Sequence, residues 1–250
     1  MSHSTIYREY FRRLYDVIEE MLGSQSRDIE LVANLIAESI ASDGIVHLFG
    51  SGHSHMVAEE VFHRAGSLMP LNPILDPNLT LFGMVNATLL ERTSGYARVV
   101  IGTHDIRQGE VVIVISNSGV NPVPIEAVLE AKACGATTVA ITSDTHYTGV
   151  PSRHESGQRL ADVADITIDT CVPRGDALVQ IPGVEFPVGG VSSVVGTALI
   201  NAIVVEATHQ IRNRGINPPV IPTMNLPGGD ERMTELVKAY GKRLPLLRNA

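Results

Sequence analysis

Two apolar segments with strand character each end in a short loop of small and hydroxyl-bearing residues, and each loop opens a segment with helical character. Residues 45–49 lead into Gly50-Ser51-Gly52-His53-Ser54, and residues 111–115 lead into Ser116-Asn117-Ser118-Gly119. Parallel strands are joined by crossover connections of this kind, usually helices. The pattern therefore predicts an α/β protein whose parallel sheet is covered by helices on both faces.

The same two loops have the composition of an anion-binding site. The N-terminus of a helix offers unpaired N–H groups and about half a positive charge. Glycine lets the backbone approach a ligand closely, and serine hydroxyls add hydrogen-bond donors. In parallel sheets, ligands bind beyond the carboxyl ends of the strands, where the strand order reverses. Two such loops in consecutive units predict a phosphate held between two strand ends.

The rest of the chain is divided by its periodicity into three parts of one predicted domain, residues 1–250. In residues 1–43, apolar residues at helical spacing predict two helices, 6–22 and 29–41, separated at Gly23. Residues 213–250 are rich in proline and glycine and predict an extended tail before a last helix at 231–240.

The middle part, residues 44–212, is the predicted α/β core. Its predicted strands lie at residues 45–49, 68–75, 111–115, 137–142 and 164–169. Its predicted helices lie at residues 55–65, 78–91, 122–133 and 191–212. Irregular structure is expected at residues 94–109, 147–158 and 174–188.

The composition argues against one class of ligand and favours one cellular environment. The net charge is −8 and no dense run of Lys or Arg is present, which argues against nucleic acid as a main ligand. Two cysteines, Cys134 and Cys171, and a polar N-terminal segment favour a reduced, cytoplasmic protein. The uncharged residues 186–205 contain proline and glycine, so we expect a helix buried in a core or subunit interface and no membrane span.

The serine loops, together with residues 127–133 and 135–142, resemble the sugar isomerase (SIS) domain. The resemblance covers residues 7–212, and the two predicted leading helices resemble the D-sedoheptulose 7-phosphate isomerase branch. The whole chain is similar to an uncharacterised group of about this length. That group shares two segments with it, Ser152-Arg153-His154…Gly157 and Asn217-Pro218-Pro219-Val220…Gly228-Gly229-Asp230-Glu231.

The resemblance implies a flavodoxin-like three-layer α/β/α sandwich that binds a phosphosugar and forms a homodimer or homotetramer. It places phosphate ligands at Ser54 and in the second loop, with Asn121 where relatives often have Ser or Thr. With the other residues of the first loop, the expected substrate-binding set is Ser51, Gly52, His53, Ser54, Ser116, Asn117, Ser118 and Asn121.

The catalytic residues of the known branches do not carry over. Arg64 stands where the heptose isomerase branch, and the etherase branch acting on N-acetylmuramic acid 6-phosphate, have a glutamate. About Thr197 stands where the heptose branch has a histidine on the late helix. The chain therefore resembles neither enzyme in its catalytic residues, although both share its phosphate-binding loops.

The helix predicted after the first loop offers another set of proton-transfer groups. Aldose–ketose isomerisation needs a base that moves a proton between adjacent carbons. Glu60 matches a ligand-side position in relatives, Glu59 is the alternative base, and His63 is a possible partner on a shared face. The competing interpretation is a solvated, charged helix face. His55, Glu59 and His63 also fit a divalent metal, but they lack the close histidine pair of zinc-protease helices, so no cofactor is expected.

These residues predict a phosphosugar-binding protein, and an aldose–ketose sugar-phosphate isomerase is the leading hypothesis. A non-catalytic phosphosugar sensor or adaptor is the second hypothesis. A sugar-phosphate lyase or etherase is the third, and Arg64 disfavours it because that branch has a glutamate there.

Overall fold

A five-stranded parallel sheet lies at the centre of the computed structural model, which describes residues 6–83 and 85–247. The strands are β1 (Val46–Gly50), β2 (Leu71–Ile74), β3 (Val111–Ile115), β4 (Thr137–Thr142) and β5 (Ile166–Asp169). Their order is β2-β1-β3-β4-β5, and every neighbouring pair is parallel. The chain moves outward from β1 to β2 and then crosses back to β3, so the strand order reverses between β1 and β3.

Helices cover both faces of this sheet. They are α1 (Tyr7–Ala41), α2 (His55–Glu60), α3 (Val85–Glu91), α4 (Tyr96–Ile101), α5 (Pro122–Ala133), α6 (Asp144–Tyr147), α7 (Leu160–Val163), α8 (Ser192–Asn213) and α9 (Gly229–Tyr240). Side chains of α1, α2 and α8 share one buried cluster with Leu48 and Ile113. Side chains of α4, α5 and α7 share another with Phe49 and Val112. The expected three-layer α/β/α sandwich is therefore confirmed.

The first part of the chain forms one helix, so the predicted break at Gly23 is wrong. A glycine inside a helix costs about 1 kcal/mol relative to alanine. Apolar residues on both sides of Gly23, including Met21 and Ile36, are buried against the sheet and α8. Burial of a single large apolar side chain stabilises by about 1.5–3 kcal/mol, which outweighs the cost of the glycine.

The helix predicted at residues 55–65 ends early, at Glu60. The carbonyl of Val61 accepts a hydrogen bond from the Ser67 hydroxyl at 2.6 Å, and the Gly66 N–H donates to Ile221 O at 2.9 Å. His63 has a φ of +49°, outside the helical region. Hydrogen bonds with Ser67 and with the C-terminal tail, which is distant in sequence, thus replace those that would continue the helix.

Two segments predicted as irregular contain regular structure. Helix α4 lies within residues 94–109 and begins after Gly95, whose φ of +84° sets the entry into the helix. Residues 174–188 contain β6 (Ala177–Val179), which pairs antiparallel with β7 (Val188–Gly190). These strands have three residues each, too few to produce a clear alternating pattern.

The uncharged residues 186–205 are divided between the segment around β7 and α8. They therefore do not form the single buried helix that the sequence predicts. Phe186 is 68% exposed beside β7, and α8 begins only at Ser192. Within the described residues, α8 is the one helix long and apolar enough, by length and composition, to cross a membrane. In this chain it packs against α1 and α2, and 44% of its most apolar 18-residue window is buried.

The C-terminal part crosses the opposite end of the sheet from the serine loops. Ile221 and the α9 residues Met233 and Leu236 pack in a third buried cluster with Ile45 and Met69, which precede β1 and β2. The ends of the predicted domain, residues 1–5 and 248–250, lie outside the described residues, as does residue 84.

Candidate functional site

The two serine loops lie side by side at the point where the strand order reverses. The first serine loop, residues 50–54, follows β1, and the second serine loop, residues 116–119, follows β3. The two strands are paired in register, with Gly50 opposite Ile115. The structure thus brings the two loops together at the carboxyl edge of the sheet, where α/β sheets bind their ligands.

The first serine loop is a tight turn. Its Ser51 is buried and extended, and residues 52–54 form a 3-10 turn in which the Ser54 N–H donates to Ser51 O at 3.1 Å. Gly52 has a φ of +55°, which favours glycine, and its N–H donates to Leu79 O at 2.7 Å. His53 is exposed at the outside of the turn.

The second serine loop is held by β4. The Ser116 N–H donates to Ile141 O at 3.0 Å, and Asn117 O accepts from the Ser143 N–H at 2.9 Å. Within the loop, the Gly119 N–H donates to Ser116 Oγ at 3.3 Å. The N–H groups of Asn117 and Ser118 form no hydrogen bond among the described residues. They and the Ser118 hydroxyl are therefore available to an anion.

A narrow cleft runs between the two loops and the start of α8. It is lined by Ser54, Val57, Ile115, Asn117, Ile141, Thr170, Ser192, Ser193 and Gly196. Ser54 and Asn117 belong to the predicted substrate-binding set, whereas Thr170 was missed. Thr170 follows β5 directly, so its position at the carboxyl edge of the sheet is the signal that could have identified it.

Two buried polar atoms of this cleft have no hydrogen-bond partner among the described residues. They are Asn117 Oδ1 and Thr170 Oγ1, and Thr170 is only 4% exposed. A buried polar group without a partner costs about 1–3 kcal/mol. A ligand or water that bonds to both atoms would offset that cost.

The N-terminus of α8 already has an anionic partner. Asp176 Oδ1 accepts from the Val191 N–H at 3.1 Å and from the Ser192 N–H at 2.7 Å. Asp176 Oδ2 accepts from the Ser192 hydroxyl at 2.6 Å. The Val191 and Ser192 N–H groups at the start of α8 are therefore already engaged by a carboxylate.

Asn121 lies at the start of α5, next to the second serine loop. Its side chain is buried and does not cap the helix. Its Oδ1 accepts a hydrogen bond from Arg153 Nη1 at 2.9 Å. The amide nitrogen of Asn121 remains as a donor, so the residue can still donate a hydrogen bond to a phosphate, as predicted from the sequence.

The predicted catalytic residues lie outside the cleft. Glu60 forms an ion pair with Arg64, and its Oε1 accepts from Asn201 Nδ2 at 3.4 Å. Glu59 Oε1 lies 3.9 Å from His55 Nε2. Glu59 and Glu60 line an open depression beside α2, together with Met56, Arg64 and Ala65.

His63 does not line the same depression as the two glutamates. Since α2 ends at Glu60, the predicted shared helix face is absent, and His63 lines another depression with residues of the tail from Ile221 to Asn225. The metal set of His55, Glu59 and His63 is likewise not assembled. Across the described residues, no three His, Cys, Asp or Glu side chains come together in a way that could hold a metal ion.

The chain belongs to the SIS-domain family. The family model, described as SIS domain, matches residues 9–143. The chain is 41% identical to UPF0309 protein GK1441 of Geobacillus kaustophilus over 240 residues, which is 96% of each chain. It is 39% identical to UPF0309 protein lin2794 of Listeria innocua over 232 residues, covering 92% of this chain and 94% of the relative.

Solved structures support the fold. A phosphoheptose isomerase of Francisella tularensis matches with a TM-score of 0.55 and 16% identity, over 84% of this chain and 100% of that one. A phosphoheptose isomerase of Neisseria gonorrhoeae matches with a TM-score of 0.54 and 18% identity, over 81% and 97%. At this level of identity the similarity concerns the fold.

Proposed function

We propose that this protein binds a sugar phosphate in the cleft between the two serine loops. The observation that carries the proposal is the meeting of both loops at the strand-order reversal, around a cleft in which two polar atoms have no partner among the described residues. Phosphate oxygens accept hydrogen bonds, which suits the free N–H groups of Asn117 and Ser118. Asn117 Oδ1 needs a donor, which a sugar hydroxyl supplies and a fully ionised phosphate does not.

The reaction that we propose is aldose–ketose isomerisation, with Glu60 as the base and Glu59 as the alternative. Val57 of α2 and Gly196 of α8 line the cleft, and Glu60 lies three residues beyond Val57 on the same helix. Three residues of helix span about 4.5 Å. A sugar with its phosphate at the loops and its carbon chain along α2 would bring the reacting carbons toward Glu60.

A non-catalytic phosphosugar sensor is the second candidate, and one observation favours it. None of the described residues that line the cleft is an acid or a base. Glu60 is engaged with Arg64 and Asn201 in this structure. A sensor needs the phosphate-binding loops alone, whereas an isomerase needs Glu59 or Glu60 to reach the substrate.

The first experiment is a thermal-shift screen of aldose and ketose phosphates, with each unphosphorylated sugar as its control. We expect stabilisation by sugar phosphates only, because binding to the folded state raises its apparent stability. Stabilisation by no sugar phosphate, or equally by the unphosphorylated sugars, contradicts the proposed binding.

The second experiment follows isomer interconversion of the stabilising compounds by NMR. We expect Glu60→Gln to lower turnover by about 10²–10⁴ while binding is kept. Glu59→Gln tests the alternative base, and Glu19→Gln, on the exposed side of α1, is the matched control. Binding without interconversion by the wild type supports the sensor, and wild-type turnover by both glutamine variants rules out both proposed bases.

A further inference from the structure

The loop at residues 151–160 packs directly on the second serine loop and brings an arginine to it. The Arg153 N–H donates to Val120 O at 2.8 Å, and the Leu160 N–H donates to Gly119 O at 2.8 Å. Arg153 Nη1 donates to Asn121 Oδ1 at 2.9 Å. Both the backbone and the side chain of Arg153 therefore contact the segment that joins the second serine loop to α5.

This loop is fixed by its own hydrogen bonds. The Ser152 hydroxyl donates to Gln158 O at 2.7 Å and accepts from the His154 N–H at 3.0 Å. His154 Nε2 lies 3.9 Å from Glu126 Oε1 on α5, and both groups are largely buried. The position of Arg153 thus follows from contacts on either side of it.

Helix α5 has fewer N-terminal donors than most helices. The first N–H groups of a helix have no partner within it and are the usual anion ligands. In α5, Pro122 and Pro124 have no N–H. An anion at the second serine loop therefore loses two of the donors that a helix start normally provides.

Arg153 has the capacity to replace them. A guanidinium carries five N–H donors, and the structure assigns one of them to Asn121. No carboxylate among the described residues lies within 4.0 Å of the Arg153 side-chain nitrogens. Because Arg153 donates to Asn121 Oδ1, Asn121 Nδ2 is left as a donor with no hydrogen bond among the described residues.

We propose that Arg153 is a phosphate-recognition residue at the second serine loop. It orients Asn121 so that Nδ2 donates to a phosphate oxygen, and its positive charge compensates for the donors absent from Pro122 and Pro124. This inference rests on the proposed function and adds a residue to it, because the substrate-binding set predicted from the sequence contains no permanently charged group.

The test measures the affinity for inorganic phosphate by calorimetry at low and high salt. We expect Arg153→Gln to weaken binding about ten- to hundredfold and to reduce its salt dependence, because a hydrogen-bonded charge is lost. Arg153→Lys keeps the charge without the planar fork, so we expect it to retain the salt dependence and recover part of the affinity. Arg27→Gln, an exposed change on α1, is the matched control.

A second variant tests the amide donor of Asn121 itself. Asn121→Asp keeps an acceptor for Arg153 but replaces the amide donor with a negative charge. We expect it to retain the wild-type melting temperature, measured by circular dichroism, and to lose phosphate binding. Phosphate binding like the wild type by Asn121→Asp would show that the amide donates to no phosphate oxygen, and that result overturns the proposal.

The outcomes also separate this inference from the proposed function. Wild-type affinity and salt dependence in Arg153→Gln overturn the role of Arg153 alone. Weakened binding with an unchanged salt dependence overturns it as well, since the charge then takes no part. A wild type that binds neither inorganic phosphate nor any sugar phosphate overturns both proposals.

Discussion

Gly50 approaches Ser54 so closely that a β-carbon on residue 50 would lie 2.5 Å from both the carbonyl carbon and the carbonyl oxygen of Ser54. Only glycine allows the first serine loop to turn back over the end of β1 in this way. We expect Gly50→Ala to destabilise the protein by about 1–3 kcal/mol, measured by urea unfolding, and to weaken phosphate binding. Unchanged stability and binding would show that the loop does not need this close approach.

Gly23 provides the opposite case. It lies within α1, and apart from its chain neighbours and the backbone of its own helix, no described atom lies within 4 Å of the position its β-carbon would take. We expect Gly23→Ala to stabilise the protein by about 0.5–1 kcal/mol in the same assay, because alanine favours the helix. A loss of stability would favour the two separate helices that the sequence predicts.

Ser118 is the hydroxyl residue at the centre of the second serine loop, and its N–H is unbonded among the described residues. We expect Ser118→Ala to weaken sugar-phosphate binding by about 1–2 kcal/mol, since a hydrogen bond to a charged group is lost. Ser94→Ala, in an exposed loop, is the control. Equal affinity of the two variants in calorimetry would remove Ser118 from the site.

Glu110 lies buried at the opposite end of the sheet. Its carboxylate accepts hydrogen bonds from the Ile45 and Arg107 N–H groups at 2.8 and 2.9 Å and from Arg243 Nη1 at 2.5 Å, and His47 Nε2 lies 3.1 Å away. Burial raises the pKa of Glu110, but the hydrogen bonds from His47, Arg243 and the backbone outweigh burial and lower the pKa from 4.5 to about 2.

A lowered pKa in the folded state means that the folded protein holds this proton less tightly than the unfolded chain. The resulting stability is present above about pH 4.5 and is lost as the pH falls toward about 2. It amounts to about 3 kcal/mol. We expect Glu110→Gln to show a smaller loss of stability across this interval in acid titrations followed by circular dichroism, and an identical acid profile would contradict the assignment.

The exposed apolar residues of α8 and α1 lead us to expect a homo-oligomer. Val205 is 69% exposed on α8, and Phe11 and Tyr15 are exposed on α1. Large exposed apolar surfaces commonly mark protein interfaces. We expect sedimentation at micromolar concentration to show a dimer or tetramer, and Val205→Glu to shift it toward monomer. A wild-type monomer under these conditions contradicts the expectation.

Where local signals agree, the sequence predicts the first and last residue of a helix or strand correctly. The bounds of β3, α5 and β4 coincide with the predicted ones. An apolar run followed by the serine loop marks the end of β3, and Pro122 and Gly135 mark the region of α5. The adjacency of the two serine loops was predictable too, because ligand loops of parallel sheets gather at the carboxyl edge near the reversal.

What the sequence could not predict depends on contacts between distant segments. The end of α2 at Glu60 depends on Ser67 and on the tail, and it removes His63 from the face that its spacing implied. The position of Arg153 depends on hydrogen bonds to Val120 and Asn121, more than thirty residues earlier in the chain. Neither spacing nor composition encodes such contacts.

The packing of α1 against α8 has a consequence for how the chain folds as it is made. The 150 residues between Ala41 and Ser192 are translated before α8 begins to emerge. At a synthesis rate of about 5–20 residues per second, roughly 8–30 seconds pass before α8 is made and can pack on the apolar face of α1. The β–α units between them can form from near neighbours in the meantime. Completion of the layer that contains α1 is therefore a late step of biosynthesis, and part of the apolar face of α1 stays uncovered on the nascent chain until α8 is made.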